Sequence, residues 1–249
     1  QTAVVKGVEQ KERTEKPPAL YDLTTLQRDA NRILGYTAQQ TLDYLQALYE
    51  KKLCTYPRTD ARYLTDDMQS SVASYVAVAA ALCEMPQPEA IHAEQACNSK
   101  KVSDHHALLP TASATKAAFL DLPLGEREVF RLVAKQLLCA VSDAHRYSET
   151  TVTLSCGGQE FTVKGKTVLQ IGWKQYSGGE TVETPLPELA EGGTLPVDAA
   201  SIKEGKTTPP KHYTEDTLLA AMENAGAKDA PEDAERRGLG TPATRAAIL

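Results

Sequence analysis

The spacing of apolar residues along the chain predicts a helical first half. Four of them recur at helical intervals and share one face: Leu26, Ala30, Ile33 and Leu34. Gly35 is placed to end that helix, and Thr37 and Gln40 have the spacing of a capping box ahead of a second helix. A third helix is predicted to begin at Thr65, and a fourth to span residues 125–146.

Near Tyr147 the period of the pattern changes from helical to alternating. Residues 151–173 read TVTLSCGGQEFTVKGKTVLQIGW, a stretch interrupted by Gly157-Gly158 and by Lys164-Gly165. Alternation broken by such pairs predicts consecutive β-hairpins. Strand-like segments continue to about residue 208.

After Pro209-Pro210 the pattern is helical again. Thr214 is placed to cap a helix that ends at Gly226, and the polar stretch KDAPEDAERRGLG, residues 228–240, is expected to be mobile. Thr241 and Pro242 then open a last helix as its cap and first residue. This order predicts a multidomain α+β protein with an entry strand or linker (1–16), a helical domain (17–146), a β-rich domain (147–209) and the start of another helical domain (210–249).

Composition narrows the class of protein. The chain has 249 residues, 41% of them hydrophobic, but no apolar run long enough to span a membrane and no signal peptide at its start. Five cysteines lie apart with no C-x-x-C pair, which argues against a zinc ribbon or a disulfide framework and fits the cytoplasm.

The chain is negatively charged overall but has one positively charged stretch, residues 51–62. The net charge of −6 weighs mildly against a nucleic-acid partner. Residues 51–62, however, hold Lys51, Lys52, Arg58 and Arg62 against Asp60 alone. A local basic stripe of this kind is sufficient for contacts with phosphates.

The stretch TYPRTD, residues 55–60, holds the candidate chemistry. An unperturbed tyrosine has a pKa of about 10, so its phenol needs positive charge nearby to attack a phosphodiester. Arg58 follows Tyr56 by two residues on an extended segment and is expected to project to the same face, where its planar fork can hold phosphate oxygens. By spacing alone, such a pair is more typical of packing at a strand end.

Two further segments favour a catalytic role for Tyr56 over simple packing. SDHHALLPT, residues 103–111, places His105 and His106 side by side in a loop. RRGLGTPATR, residues 236–245, sets glycines before a capped helix start, where free N–H groups suit a phosphate. Taken singly, the first is typical of a solvated loop or a chance metal site, and the second of a plain loop–helix junction.

In this order, TYPRTDARYL, DHHALLPT and GLGTPATRAAIL resemble the three motifs of the type IA DNA topoisomerases, and within them the topoisomerase III branch. The lead-in from Pro17 to Glu50 is similar to that family as well. The resemblance therefore covers about residues 17–249 and is weakest through the β region. Thr241 and Ala243 stand where bacterial topoisomerase I usually has arginine and serine, which fits the topoisomerase III branch.

The resemblance implies transient cleavage of single-stranded DNA, in which Tyr56 becomes joined to a 5′-phosphate and a 3′-hydroxyl is left free. It implies that Arg58 positions the nucleophile and stabilises the scissile phosphate, and that His105 holds the DNA backbone. One ester is exchanged for another, so no ATP is needed, and neither Gly-Lys-Thr triplet belongs to a P-loop. Further DNA contacts are predicted from Lys52, Arg62, His106, Thr241, Thr244 and Arg245.

The family's Mg²⁺-binding Toprim domain precedes the tyrosine-bearing domain, and no Asp-x-Asp pair with a partnering glutamate is recognisable here. We therefore expect Mg²⁺ to act in the full-length enzyme and no metal to bind this chain. The chain is expected to be a central fragment of a monomeric enzyme, inactive without its Toprim partner. By the same resemblance, the helical domain lifts away to open a gate, the β-rich domain forms the arch, and the last helices begin the DNA-binding base.

Other classes fit less well. A tyrosine recombinase is excluded because Tyr56 precedes His105 and no histidine has arginine three residues later. A hydrolase lacks a G-x-S-x-G elbow. A non-catalytic clamp for single-stranded DNA, in which Tyr56 packs or stacks on a base, stays open as the alternative. Formation of a tyrosine–DNA ester distinguishes the clamp from the enzyme.

Overall fold

The computed structural model describes residues 1–179, 182–226 and 238–249, so most of the polar stretch 228–240 lies outside the described residues. The chain groups into a sheet unit, residues 1–16 and 144–210, and a helical unit, residues 17–143 and 211–249. This mixture of helix and strand confirms the predicted α+β class. The predicted division into four parts stays a prediction.

The sheet unit is an antiparallel sheet of four strands in the order β3-β2-β1-β4. The strands are β1 (Thr2–Glu15), β2 (His145–Cys156), β3 (Gln159–Gln170) and β4 (Thr194–Pro196). Gly157 and Gly158 have φ values of 59° and 77° and form the two-residue turn between β2 and β3. Positive φ at both turn positions is the geometry of a type I′ hairpin, so the first predicted hairpin is confirmed.

The second predicted hairpin, at Lys164-Gly165, is wrong. Gly165 lies inside β3, opposite Thr150 of β2. A Cβ at this position would lie 2.9 Å from the carbonyl oxygen of Thr184 and 2.6 Å from Cγ of Leu186. The glycine therefore marks a close approach of another segment to the strand, which the pattern of a single strand does not distinguish from a turn. Of the strand-like segments predicted up to residue 208, the described residues contain β4 and one bridge at Thr184.

The helical unit contains eight α-helices in its described residues. They are α1 (Leu23–Leu34), α2 (Ala38–Glu50), α3 (Val72–Cys83), α4 (Ala93–Ala96), α5 (Lys116–Leu120), α6 (Leu124–Ala140), α7 (Glu215–Glu223) and α8 (Pro242–Ile248). The predicted caps are confirmed: Gly35 ends α1 at a φ of 73°, and Thr37 and Gln40 form a capping box on α2. Thr214 and Thr241 cap α7 and α8.

Three predicted helix boundaries are wrong, the first being that of α7, which ends at Glu223 and not at Gly226. Residues Asp66–Ser71 form a 3₁₀ helix, and α3 begins only at Val72. The amide of Asp66 donates to the hydroxyl of Ser99 at 2.8 Å, a contact that ties this turn to a later loop. Helix α6 ends at Ala140 rather than at residue 146, because His145 and Arg146 pair with β1.

The core of the helical unit forms around α6. Phe130 and Leu137 of this helix are completely buried, and Phe130 packs against Phe119 with ring centroids 5.2 Å apart. Helix α6 lies against α2 and α3, and α7 and α8 lie against α1 and α2. None of the helices in the described ranges has the length and apolar character needed to cross a membrane.

Candidate active site

Tyr56 lies on a segment without regular secondary structure that follows α2, and a bend at Pro57 replaces the extended geometry predicted between Tyr56 and Arg58. Lys52, at a φ of 57°, turns the chain out of the helix, and the next two residues are buried. The amide of Thr55 donates to the carbonyl of Leu109 at 3.0 Å, and the amide of Leu109 donates to the hydroxyl of Thr55 at 2.9 Å. The tyrosine segment is therefore fixed to the segment that follows the histidine pair.

Thr59 makes the second connection between these segments. Its hydroxyl donates to the carbonyl of His105 at 3.1 Å and accepts from the amide of Ala61 at 3.1 Å. The amide of Ala107 also donates to the carbonyl of Tyr63 at 3.0 Å. Because Thr59 is buried, its hydrogen bond to the carbonyl of His105 holds the histidine loop in a defined place beside the tyrosine motif.

The rings of Tyr56 and His105 are in contact. Their centroids are 4.2 Å apart and their planes are inclined at 33°. His105 is exposed and Tyr56 is half-buried. A cleft of about 180 Å³ lies beside them, lined by Tyr56, Thr65, Val102, Ser103, Asp104, His105 and His106. A substrate approaching from solvent can therefore reach both rings at once.

Arg58 and Tyr56 both face α2. One guanidinium nitrogen of Arg58, Nη1, donates to Oε1 of Gln46 at 3.1 Å. The ring of Tyr49 meets that of Tyr56 edge to face, with centroids 5.6 Å apart and planes at 87°. Sequence reasoning did not identify Gln46 or Tyr49. Periodicity groups Tyr49 with the apolar residues Leu42 and Leu45 of α2, and its spacing of three from Gln46 was the available signal.

The other residues predicted to contact DNA in or beside the first two motifs make hydrogen bonds that involve backbone carbonyls. Lys52 is exposed, and its carbonyl accepts from the hydroxyl of Thr111 at 2.6 Å. Nε of Arg62 donates to the carbonyl of Leu20 at 3.2 Å. Nδ1 of His106 lies 2.8 Å from its neighbouring carbonyl, that of Ala107. Since a carbonyl only accepts, Nδ1 is the donor in this contact.

The third motif forms a cleft of its own. A space of about 270 Å³ is lined by Asp22, Asp60, Glu223, Gly240, Thr241, Pro242 and Arg245. Thr241 and Thr244 are exposed, with their hydroxyl oxygens 2.8 Å apart. Arg245, only 4% exposed, donates to the carbonyl of Leu239 at 2.7 Å and to the hydroxyl of Thr24 at 3.3 Å. In this structure its guanidinium holds the loop before α8, and its predicted DNA contact stays a prediction.

Asp60 links the two clefts. It lines the second cleft, and its carboxylate accepts from the hydroxyl of Ser103, which lines the first, at 3.4 Å. The fold therefore brings all three sequence motifs to adjoining places. Among the residues that the structure describes, no three His, Cys, Asp or Glu side chains are placed to hold a metal ion.

The site and the fold have counterparts in known proteins. A family model described as DNA topoisomerase matches residues 1–249. The chain is 38% identical to DNA topoisomerase 3 of Bacillus licheniformis and 39% identical to that of Bacillus subtilis, in each case over 99% of this chain and 37% of the relative. The chain thus spans little more than a third of these relatives. Its fold is similar to full-length topoisomerase I from Thermotoga maritima, with a TM-score of 0.76, 23% identity, and coverage of 99% of this chain and 39% of that one.

Proposed function

Because the chain belongs to the DNA topoisomerase family, in its type IA, topoisomerase III-like branch, we propose that it carries the nucleophile of such an enzyme. The enzyme makes a transient break in single-stranded DNA, passes a strand through it and rejoins the ends without ATP. The observation that supports this most is the contact of the Tyr56 and His105 rings, 4.2 Å apart at an open cleft.

The proposed reaction exchanges one phosphodiester for another. The phenol oxygen of Tyr56 attacks phosphorus, so that a bond from this oxygen to phosphorus forms while the bond from phosphorus to the 3′-oxygen breaks. The phenol proton is lost to solvent, and the leaving 3′-oxygen takes up a proton and becomes a hydroxyl. Rejoining reverses these steps. Since the bond energy is kept in the tyrosine ester, ATP is not required.

Arg58 and His105 act on the phosphate in this proposal. Gln46 occupies one of the five N–H groups of Arg58, which leaves the others to stabilise the charge that develops on the phosphate oxygens. His105, exposed and packed on the ring of Tyr56, orients the nucleophile and contacts the DNA backbone. The DNA strand on either side of the scissile phosphate would be contacted by the remaining predicted residues, Lys52, Arg62, His106, Thr241, Thr244 and Arg245.

The remaining parts of the reaction belong to the complete protein that carries this chain. We propose that an N-terminal Toprim domain holds Mg²⁺ and supplies the acid for the leaving hydroxyl. The part of the helical unit that precedes β2, residues 17–143, would lift to open the gate, the sheet unit would be the arch, and α7 and α8 would begin the base. This enzyme would act as a monomer in the cytoplasm, where its DNA is.

A covalent-capture experiment tests the proposal. Single-stranded DNA labelled at its 3′ end is incubated with Mg²⁺ and the complete protein, its Tyr56→Phe variant, its Arg58→Lys variant, or this chain alone. We expect label on the complete protein and none on Tyr56→Phe or on the chain alone. Arg58→Lys should slow attachment by about 10- to 100-fold, because lysine lacks the planar fork.

Tyr213→Phe is the matched control, since Tyr213 is 70% exposed and lies outside both clefts. It should attach label like the unchanged protein. Label that persists on Tyr56→Phe would show another nucleophile. No label on a complete protein that still binds the strand would leave the non-catalytic clamp as the function.

A further inference from the structure

We propose that Gln46 and Tyr49, near the end of α2, form a positioning surface for both reacting residues, in which Gln46 holds the guanidinium of Arg58 and Tyr49 holds the ring of Tyr56. The inference rests on the proposed function, because it assigns these residues to the same reaction. Gln46 and Tyr49 are positioning residues and do not touch DNA in this scheme.

The end of α2 contacts both reacting residues. Gln46 and Tyr49 are three apart on the helix, so their Cβ atoms lie about 5–6 Å apart. Tyr56 and Arg58 lie on either side of a bend at Pro57. The helix contacts both side chains, through the hydrogen bond of 3.1 Å from Arg58 to Gln46 and the ring contact of 5.6 Å between Tyr49 and Tyr56.

Glu50 fixes the orientation of the Gln46 amide. Nε2 of Gln46 donates to a carboxylate oxygen of Glu50, one turn along the helix, at 2.9 Å. A carboxylate only accepts and a guanidinium only donates, so the amide nitrogen must face Glu50 and the amide oxygen must face Arg58. The acceptor for Arg58 is thus set by the helix before any substrate binds.

The chemistry of this acceptor suits an arginine that has to bind phosphate. A neutral amide directs one N–H of Arg58 and leaves its positive charge uncompensated at the point of contact. A carboxylate in the same place would form a charge-assisted pair with the guanidinium and compete with the phosphate for it. The interposed Gln46 keeps the charge of Glu50 away from Arg58.

Tyr49 is not explained by core packing. It is 41% exposed, whereas the core-facing residues of α2, such as Leu45 and Leu48, are completely buried. The rings of Tyr49 and Tyr56 meet edge to face, a geometry that aromatic pairs prefer. With His105 also in contact, the ring of Tyr56 has two aromatic neighbours.

The test uses the complete protein with Gln46→Met, Gln46→Glu, Tyr49→Phe or Tyr49→Leu. Methionine and glutamate keep the helix propensity of glutamine, so folding is preserved. Gln39→Met is the matched control, because Gln39 makes the same type of pair with Asp43 on the same helix, at 2.8 Å, away from Arg58. The single-turnover rate of covalent attachment and the Kd for single-stranded DNA are measured for each.

We expect Gln46→Met to attach about tenfold more slowly, the scale of lost orientation, with Kd changed by less than about twofold. Gln46→Glu should be slowed at least as much although it restores an acceptor. Tyr49→Phe should keep the rate and Tyr49→Leu should lower it, while Gln39→Met stays unchanged. Attachment at the unchanged rate by Gln46→Met, Gln46→Glu or Tyr49→Leu, or a parallel loss of DNA binding, would overturn the inference.

These failures differ from failure of the proposed function. If the unchanged protein attaches label through Tyr56 but Gln46→Met and Tyr49→Leu behave like it, only the positioning surface is wrong. If Tyr56→Phe still attaches label, the assignment of the nucleophile is wrong and the positioning surface falls with it.

Discussion

At the scale of single residues, Asp22 caps a helix and makes the stability of the fold depend on pH. It caps α1 from a position that is only 4% exposed, and its carboxylate accepts from the amide and from the hydroxyl of Thr25, both at 2.7 Å. Burial raises the pKa of the Asp22 carboxyl, although both hydrogen bonds from Thr25 act in the lowering direction. The raised pKa means that the folded state binds this proton more tightly than the unfolded state does.

The sign of the pH dependence follows from linkage. The contribution of Asp22 is most favourable below its unfolded pKa of about 4 and declines as pH rises to the raised folded pKa. Asp22→Asn keeps an acceptor for the cap and removes this titration. As pH rises through this window, the unchanged chain loses stability that Asp22→Asn does not lose. We therefore expect the unfolding free energy of Asp22→Asn minus that of the unchanged chain to increase through the window and to be constant above it.

Urea unfolding of this chain at several pH values, followed by helical circular dichroism, measures the difference. Asp22→Ala should be less stable by about 1 kcal/mol across the same range, because alanine gives no cap. A difference between Asp22→Asn and the unchanged chain that does not vary with pH would contradict the assignment to Asp22.

At the scale of elements, helix caps and turns depend on neighbours in the chain, whereas a glycine inside a strand can depend on a distant segment. The cap of α2 and the hairpin after β2 depend on residues close together in the chain, Thr37 with Gln40 and Gly157 with Gly158. Gly165 depends on a distant segment, since Lys166 and Thr184 exchange backbone hydrogen bonds of 3.0 and 2.9 Å beside it. A side chain at Gly165 would therefore disturb tertiary contacts rather than a turn.

Gly165→Ala is expected to destabilise the sheet unit by about 1–3 kcal/mol, because its Cβ meets the Thr184 carbonyl and Leu186. The chain has one tryptophan, Trp173, in the 3₁₀ helix Gly172–Tyr176 of the sheet unit, so its fluorescence reports unfolding there. Gly7→Ala is the control in the same sheet, because a Cβ there meets nothing within 4 Å. Equal midpoints for the two variants would refute the account of Gly165.

At the scale of the whole molecule, the helical unit is closed by segments far apart in the chain. It is interrupted at residue 143 and resumes at residue 211. A carboxylate oxygen of Glu215 in α7 accepts from the amide of Ala38 at 2.6 Å, at the start of α2. Leu219 of α7, Ala38 and Ala246 of α8 form one buried cluster. The last two helices thus complete the surroundings of α1 and α2, beside the site.

Leu219→Ala tests this closure. Leu219 is completely buried, so we expect a loss of about 2–5 kcal/mol in the helical unit. Unfolding followed by circular dichroism at the helical band should shift to lower urea, while the Trp173 fluorescence midpoint stays in place. Leu218→Ala, at a half-exposed neighbour, should have a smaller effect. A shift of both signals together would mean that the two units do not unfold separately.

The sequence alone determined what depends on neighbours in the chain. The caps at Thr37, Thr214 and Thr241 and the Gly157-Gly158 turn could be predicted, because each is a local competition for backbone hydrogen bonds. The motifs around Tyr56, His105 and Thr244 could be identified for the same reason, since each is a short run of residues.

Only the tertiary structure decided what those runs meet. The end of α6 at Ala140, the strand role of Gly165 and the burial of Arg245 follow from contacts with distant segments. The same holds for Gln46 and Tyr49, whose contacts with Arg58 and Tyr56 depend on how the segment after α2 lies against the helix. A one-dimensional pattern records which residues can face inward; the chain's packing selects which partner each one finds.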